Sequence, residues 1–191
     1  MMRSHIDKVI LSRQRISRRV QELAEEITRD LSPHVSRESH LTIVSVMTGA
    51  MVFCSDLVRQ LPLQLRIATM RVSSYPGIAT NTQGAKLVEA QFDGLAGGRV
   101  LLVDDILDSG STLRLLVPML KSHGALEVKT CVLLRKKRPE AMATPVDYVG
   151  FDIPDEFVVG YGLDYDDYYR NLPDIVSLKP GIIGGEVGRR A

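Results

Sequence analysis

Residues Arg99 to Lys121 read RVLLVDDILDSGSTLRLLVPMLK. The run Val100-Leu101-Leu102-Val103 has the length and apolar continuity of a buried strand. Two acids, Asp104 and Asp105, stand at its carboxyl end, and a turn of small residues follows, Asp108-Ser109-Gly110-Ser111-Thr112. Apolar positions at Leu113, Leu116, Val117 and Leu120 then recur with helical spacing. In an open α/β sheet, ligands bind beyond the carboxyl ends of the strands. Free amides at a helix N-terminus hold phosphate there. The stretch therefore predicts a site for a phosphorylated sugar. The amides and hydroxyls of residues 108–112 surround its phosphate, and two carboxylates lie within reach of sugar hydroxyls or a metal.

Before this unit, Ser12 is placed to cap a helix whose apolar positions Ile16, Val20, Leu23, Ile27 and Leu31 share one face, and Pro33 ends it. Leu41–Val46 reads as a strand running into Met47-Thr48-Gly49-Ala50 and an apolar helix through Val52, Phe53, Leu57, Val58 and Leu61. That is a second strand-to-helix turn with a glycine at its centre, where backbone comes close to an anion. Gln64–Val72 reads as another strand. The Ser-, Thr-, Asn- and Gly-rich segment 73–98 is long for a connection inside a compact domain, and such segments form lids over binding sites. A short strand at 86–92 falls within it.

After the unit, Glu127–Leu134 reads as a strand that ends in the cations Arg135-Lys136-Lys137-Arg138. Most of that run is read as solvated, with one lysine facing the site. Val146–Phe151 and Phe157–Gly160 read as short strands, 162–172 is acidic and tyrosine-rich, and the glycine-rich tail 181–191 is read as loose. Helices alternate with strands over most of the chain, which favours a mostly parallel sheet with helices on both faces.

Composition bounds the partners. The chain has 191 residues, 45% hydrophobic and 25% charged, and a net charge of +1. That is enough for one domain spanning 1–191. It gives no global reason for a nucleic-acid or membrane partner. The start, MMRSHIDKVILSRQR, lacks the apolar core of a signal peptide, and no run approaches a membrane span. A cytoplasmic protein is expected, with Cys54 and Cys131 as buried free thiols rather than a disulfide. His5, His34, His40 and His123 have no metal-ligand spacing and fall outside both turns.

VLLVDDILDSGSTL closely resembles the phosphoribosyl-pyrophosphate signature of the type I phosphoribosyltransferases. PVDYVGFDIPDEFVVGYGLDYDDYYRNLP, residues 145–173, resembles the purine-recognition region of the hypoxanthine-guanine phosphoribosyltransferases, as do ILSRQRISRRVQELAEEITRD and MRVSSY their amino-terminal helix and the start of their lid. The likeness runs from about Ile10 to Pro180. It implies the type I fold, a mostly parallel twisted sheet flanked by helices, with a lid at about 73–98 and a small purine-recognition hood at about 135–175.

The resemblance also implies roles. Asp104 and Asp105 would hold the ribose hydroxyls directly or through Mg2+. Asp108 would face purine N7 as general base or acid, and Ser109, Gly110, Ser111 and Thr112 would cradle the 5′-phosphate. Lys136 would contact O6, Phe157 would stack on the base, and the backbone of Val158 would read the ring edge. Asp164 would bind magnesium or its water, Arg170 would meet pyrophosphate, and Ser74 and Tyr75 would lie in the lid. The implied reaction is purine salvage from a 6-oxopurine and phosphoribosyl pyrophosphate, in a homodimer or homotetramer. The alternative is a regulator of the same fold that senses nucleotide and binds nucleic acid or protein. The set Asp108, Lys136, Phe157 and Asp164 favours the enzyme, because a sensor has no need of a base-directed acid.

One position departs from the family pattern. Where many members carry lysine before the glycine of the first turn, this chain has Thr48, so the amides of Thr48 and Gly49 remain for pyrophosphate but a cation is missing. The expected consequence is retained catalysis, with any change falling on pyrophosphate or substrate affinity. Titration of pyrophosphate into wild type and Thr48→Lys checks this: a difference in affinity is expected, and equal affinity contradicts it.

Overall fold

The structure is a computed structural model that describes residues 2–36, 39–74, 85–90 and 94–183. Eight strands and four α-helices are formed by these residues: β1 (Ile6–Leu11), α1 (Arg13–Leu31), β2 (Leu41–Met47), α2 (Met51–Val58), β3 (Leu65–Ser74), β4 (Ala85–Ala90), β5 (Arg99–Leu107), α3 (Ser111–Ser122), β6 (Glu127–Lys136), α4 (Pro139–Met142), β7 (Tyr148–Ile153) and β8 (Ile175–Leu178). The main sheet has the order β4-β3-β2-β5-β6-β7. All its neighbours are parallel except β3 and β4, which form an antiparallel edge.

Two apolar layers sandwich this sheet. On one face α1 and α2 bring Ile16, Leu23, Ile27, Phe53 and Leu57 against Ile43, Leu101, Val103 and Leu133. On the other, Leu113, Leu116 and Leu120 of α3 pack on Val44, Val100, Leu102 and Val132. Alternate residues of β2 and β5 thus feed opposite cores, which is why their sequences are apolar without a break. Each largest side chain in these layers removes roughly 1.5–3 kcal/mol of apolar exposure from water.

Helix α1 is fixed at its N-terminus and along its first half. Ser12 Oγ accepts from the Arg15 amide (3.4 Å), and Asp174 Oδ1 accepts from the Arg13 amide (2.7 Å). Arg19 donates to the carbonyls of Val149 and Gly150 (3.0 and 3.1 Å), closing the open edge of β7.

Several expectations are corrected. The sequence reading missed β1 and β8, which pair antiparallel as a second, two-stranded sheet. Both are short, and their pairing spans a separation of more than 160 residues, which no local pattern carries. The strand expected at Phe157–Gly160 is not one: Val159 bridges Val176, and Gly160 (φ 98°) turns back onto Leu163. Strand β5 also runs beyond Val103 to Leu107, so both acids lie within it. Tyr75, most of the loop before β4, and the tail from residue 184 lie outside the described residues. Of the segment expected as a lid, the described part supplies the β3–β4 edge, including the backbone of Ser74. Cys54 and Cys131 are buried free thiols.

Candidate active site

The site forms where β2, β5 and β6 end side by side. Leu107 of β5 pairs in register with Arg135 of β6. One residue further along each strand, Asp108 and Lys136 are neighbours, and Lys136 Nζ donates to Asp108 Oδ2 at 3.1 Å. Lys136 is a buried cation, its side chain 11% exposed, so a fixed anion beside it is a physical requirement. The Asp108 side chain is 42% exposed and faces outward from the sheet end.

Past Asp108 the chain turns into α3 through Gly110, which sits at φ 78°. A side chain there would strike the Thr144 hydroxyl and the Arg114 guanidinium, so the turn requires glycine twice over. No side chain caps α3, in contrast to α1. Its first amides therefore remain open to an anion. Ser109 Oγ and Ser111 Oγ lie 3.0 Å apart beside them, and Ser109 Oγ accepts weakly from the Ser111 amide (3.4 Å). Thr112 stands in the same first turn, partly buried. The dipole and hydroxyls of this turn suit a dianionic phosphate.

The turn after β2 meets the acidic pair from the other side. A side chain on Gly49 would overlap the Asp105 carboxylate, and one on Gly162 (φ 103°) would overlap the Gly49 carbonyl. Glycine at both positions lets three segments of backbone close on one point. Asp104 is 5% exposed, and its Oδ1 accepts from the Asp105 amide (3.0 Å), whereas Asp105 Oδ1 accepts from the Ile106 amide (2.7 Å). Burial pushes the Asp104 carboxyl well above the ordinary carboxylate value, and the adjacent Asp105 charge adds to this. Burial also raises Asp105, opposed by its hydrogen bonds and by the positive charge of Arg170. Two poorly solvated carboxylates side by side attract a cation or donors from a polyol.

The hood is assembled from 154–172. Phe157 is 44% exposed rather than packed in the core, and it meets Tyr165 edge-to-face with ring centroids 5.7 Å apart. Val158 is buried beside the backbone tie between Val159 and Val176. Arg170 donates to the Gly162 carbonyl (2.8 Å) and pairs with Asp164 (2.9 Å) and Asp167 (2.8 Å). Asp164 also accepts from the Asp167 amide (2.9 Å). Thus Asp104, Asp105, Asp108, residues 109–112, Gly49 and Lys136 converge directly. Asp164 and Arg170 are joined to them through Gly162 and the charge of Arg170 on Asp105.

Sequence reasoning missed two members. Arg138 Nη1 donates to Asp108 Oδ1 (2.6 Å), and Asp155 lies 3.4 Å from Lys136 Nζ and 3.5 Å from Arg138 Nε. Arg138 lies beyond the end of β6, where a tight turn (Arg138 N–H to the Lys136 carbonyl, 2.8 Å) brings it back toward Asp108, and no local sequence pattern signals that turn. Arg135 points the other way and pairs with Asp152 at 2.7 Å.

The arrangement matches known proteins over nearly its whole length. Residues 8–166 match the phosphoribosyl transferase domain, and the chain belongs to that family. The hypoxanthine-guanine phosphoribosyltransferase of Mycobacterium avium is 41% identical over 93% of this chain and 88% of its own. That of Bacillus subtilis is 36% identical over 95% and 98%. The hypoxanthine phosphoribosyltransferase of Trypanosoma cruzi, solved as a mutant in a ternary substrates complex, superposes with a TM-score of 0.85 at 34% identity, covering 94% of this chain and 99% of that one. Within the phosphoribosyltransferases, then, the chain falls among the hypoxanthine-guanine enzymes of purine salvage.

The acidic pair gives a test of the site's electrostatics. A carboxyl harder to ionise in the fold than in the unfolded chain lowers stability above its unfolded pKa; the loss is full above the folded value and shrinks to nothing as pH falls from there to the unfolded value. Asp104→Asn keeps an acceptor for the Asp105 amide and removes one charge. At pH 7 it is expected to raise the Tm of the ligand-free protein by about 2–4 °C, the shift that ~1 kcal/mol gives in a chain of this size. Binding of phosphoribosyl pyrophosphate should weaken in parallel. Calorimetry showing an unchanged or lower Tm contradicts the account.

Proposed function

We propose that this chain transfers the 5-phosphoribosyl group from phosphoribosyl pyrophosphate to N9 of hypoxanthine or guanine, giving IMP or GMP and pyrophosphate. The observation that carries the assignment of roles is the position of Asp108. It lies between an uncapped helix N-terminus suited to the 5′-phosphate and a buried lysine suited to a carbonyl oxygen.

Departure of pyrophosphate from the ribose C1 builds positive charge on the sugar and negative charge on the leaving group. The amides of Thr48 and Gly49 and the guanidinium of Arg170 face the latter, and fixed donors of this kind act most strongly where water is excluded. Asp108 takes the N7 proton as N9 attacks, a role that typically contributes roughly 10²–10⁴-fold. Lys136 donates to O6, Phe157 covers one face of the base, and the Val158 backbone meets its edge. The exposed ring of Phe157, held by Tyr165, supports that stacking role. Ser74 and Tyr75, at the start of the segment 73–98, act in a lid over the reacting centre.

The donor set fits magnesium. Among the described residues no group of three or more His, Cys, Asp or Glu is arranged to hold a metal by itself. Magnesium suits a site with one or two carboxylates and substrate oxygens, and Asp104 and Asp105 offer such a pair of hard oxygen donors. Asp164, whose oxygens are taken by Arg170 and the Asp167 amide, would meet the ion or its water only on leaving Arg170. When bound, the ion neutralises charge on the pyrophosphate.

The reading extends to the whole chain as one domain, 1–191, acting in the cytoplasm; no described helix is long and apolar enough to cross a membrane. It also extends to a homodimer or homotetramer.

Purified protein with magnesium and phosphoribosyl pyrophosphate is offered hypoxanthine, guanine, xanthine and adenine in turn. Turnover of 6-oxopurines is expected. Adenine places a 6-amino donor against Lys136, a mismatch of about 1–3 kcal/mol, so its kcat/KM falls at least about fivefold to a hundredfold lower. Asp108→Asn is expected to cut kcat at least a hundredfold while sparing phosphoribosyl pyrophosphate binding. Near-normal turnover by that variant removes Asp108 from the proton transfer, and inactivity of wild type with all four bases leaves the regulator reading.

A further inference from the structure

The basic run after β6 contains a second cation on Asp108 that the reaction as described does not use. In the ligand-free protein both oxygens of the Asp108 carboxylate are occupied. Lys136 Nζ donates to Oδ2 at 3.1 Å, and Arg138 Nη1 donates to Oδ1 at 2.6 Å, the shorter bond. Both cations also face Asp155, Lys136 at 3.4 Å and Arg138 through Nε at 3.5 Å, with Glu140 at 3.9 Å from the same Nε. Two cations and three carboxylates therefore form a closed cluster beyond the ends of β5 and β6.

Occupation of the base site must break this symmetry. If Lys136 serves the purine O6, its ammonium turns from Asp108, and Oδ2 is left for N7. A carboxylate held only by the departing lysine would then be free to rotate about its side-chain bonds. Arg138 is the cation that can stay: its guanidinium meets Asp108 through Nη1 and approaches Asp155 through Nε, two separate donors held in one plane, whereas Lys136 meets both acids with a single nitrogen. Asp155, on the turn after β7, ties that fork to the segment leading into Phe157.

We propose that Arg138 is a positioning residue for the transfer: it keeps hold of Asp108 Oδ1 when Lys136 leaves for the purine, so that Oδ2 stays aimed at N7. Asp155 holds Arg138 in that orientation. The division of labour is one oxygen to the scaffold and one to the substrate. Positioned groups of this kind matter because misplacement of a catalytic atom by about 1 Å costs on the order of 10²-fold. The proposal rests on the reading that Asp108 faces N7, and its test separates the two.

The probe is 7-deazahypoxanthine, which carries C–H in place of N7 and cannot engage Asp108. Binding of hypoxanthine and of the 7-deaza base is measured on the full chain with magnesium and phosphoribosyl pyrophosphate, for wild type, Arg138→Met, Arg138→Lys, Asp155→Asn and Asp108→Ala, alongside steady-state kinetics. Wild type is expected to prefer hypoxanthine by at least tenfold. Arg138→Met should lower kcat about tenfold or more, collapse the preference toward unity, and leave the KM for phosphoribosyl pyrophosphate within twofold. Arg138→Lys recovers part of both losses, and Asp155→Asn shifts them in the same direction by less. An Arg138→Met enzyme with wild-type kcat and preference overturns the proposal. So does one whose affinities for both bases and for phosphoribosyl pyrophosphate fall together, since that marks a merely structural role. If Asp108→Ala, measured in the same way, keeps the wild-type preference, the N7 contact itself is wrong, and the proposal falls with it.

Discussion

The register between β5 and β6 is the constraint on which the site depends. Parallel pairing of Leu107 with Arg135 places the next residue of one strand beside the next residue of the other. Asp108 and Lys136 meet for that reason, and each makes the other tolerable: a buried ammonium without an anion costs several kcal/mol. A slip of one residue would turn every side chain to the opposite face. It would mismatch the packing of both cores and carry the lysine away from the sugar-binding turn at once. The apolar runs that hold the register are thus part of the site's geometry, although none of them touches it.

Charge is concentrated at this end of the sheet at the expense of stability. Asp104 and Asp105 lie where burial and mutual repulsion oppose their ionisation. Gly49 and Gly162 give up side chains so that backbone can close over them. Arg170 supplies the nearest compensation while shared among Gly162, Asp164 and Asp167. Each of these features weakens an empty protein, and each suits a ligand that brings hydroxyls, phosphates and a divalent cation. The start of α1 shows the contrast, since there the cap and the first amides are satisfied within the chain.

The central unit was legible because it is local. Strand, acids, small-residue turn and amphipathic helix follow one another within 23 residues, and period and turn chemistry suffice to read them. The β1–β8 sheet was not legible, because its pairing is formed across the length of the chain. The segment 157–160 was misread since Val158 and Val159 have strand composition, while Gly160 and Gly162, both at positive φ, fold it back into a hood. The role of Arg138 was hidden by its neighbours: four consecutive cations look like a solvated patch until the end of β6 at Lys136 and the turn after it bring two of them to Asp108.

The central claim is that one carboxylate, Asp108, joins the sugar half of the site to the base half. A crystal structure of the chain with IMP tests it most directly. The account predicts the 5′-phosphate on the amides of residues 109–112, Lys136 on O6, and an Asp108 oxygen within hydrogen-bond distance of N7. A nucleotide whose phosphate sits elsewhere, or whose base leaves Lys136 still paired to Asp108, would contradict it.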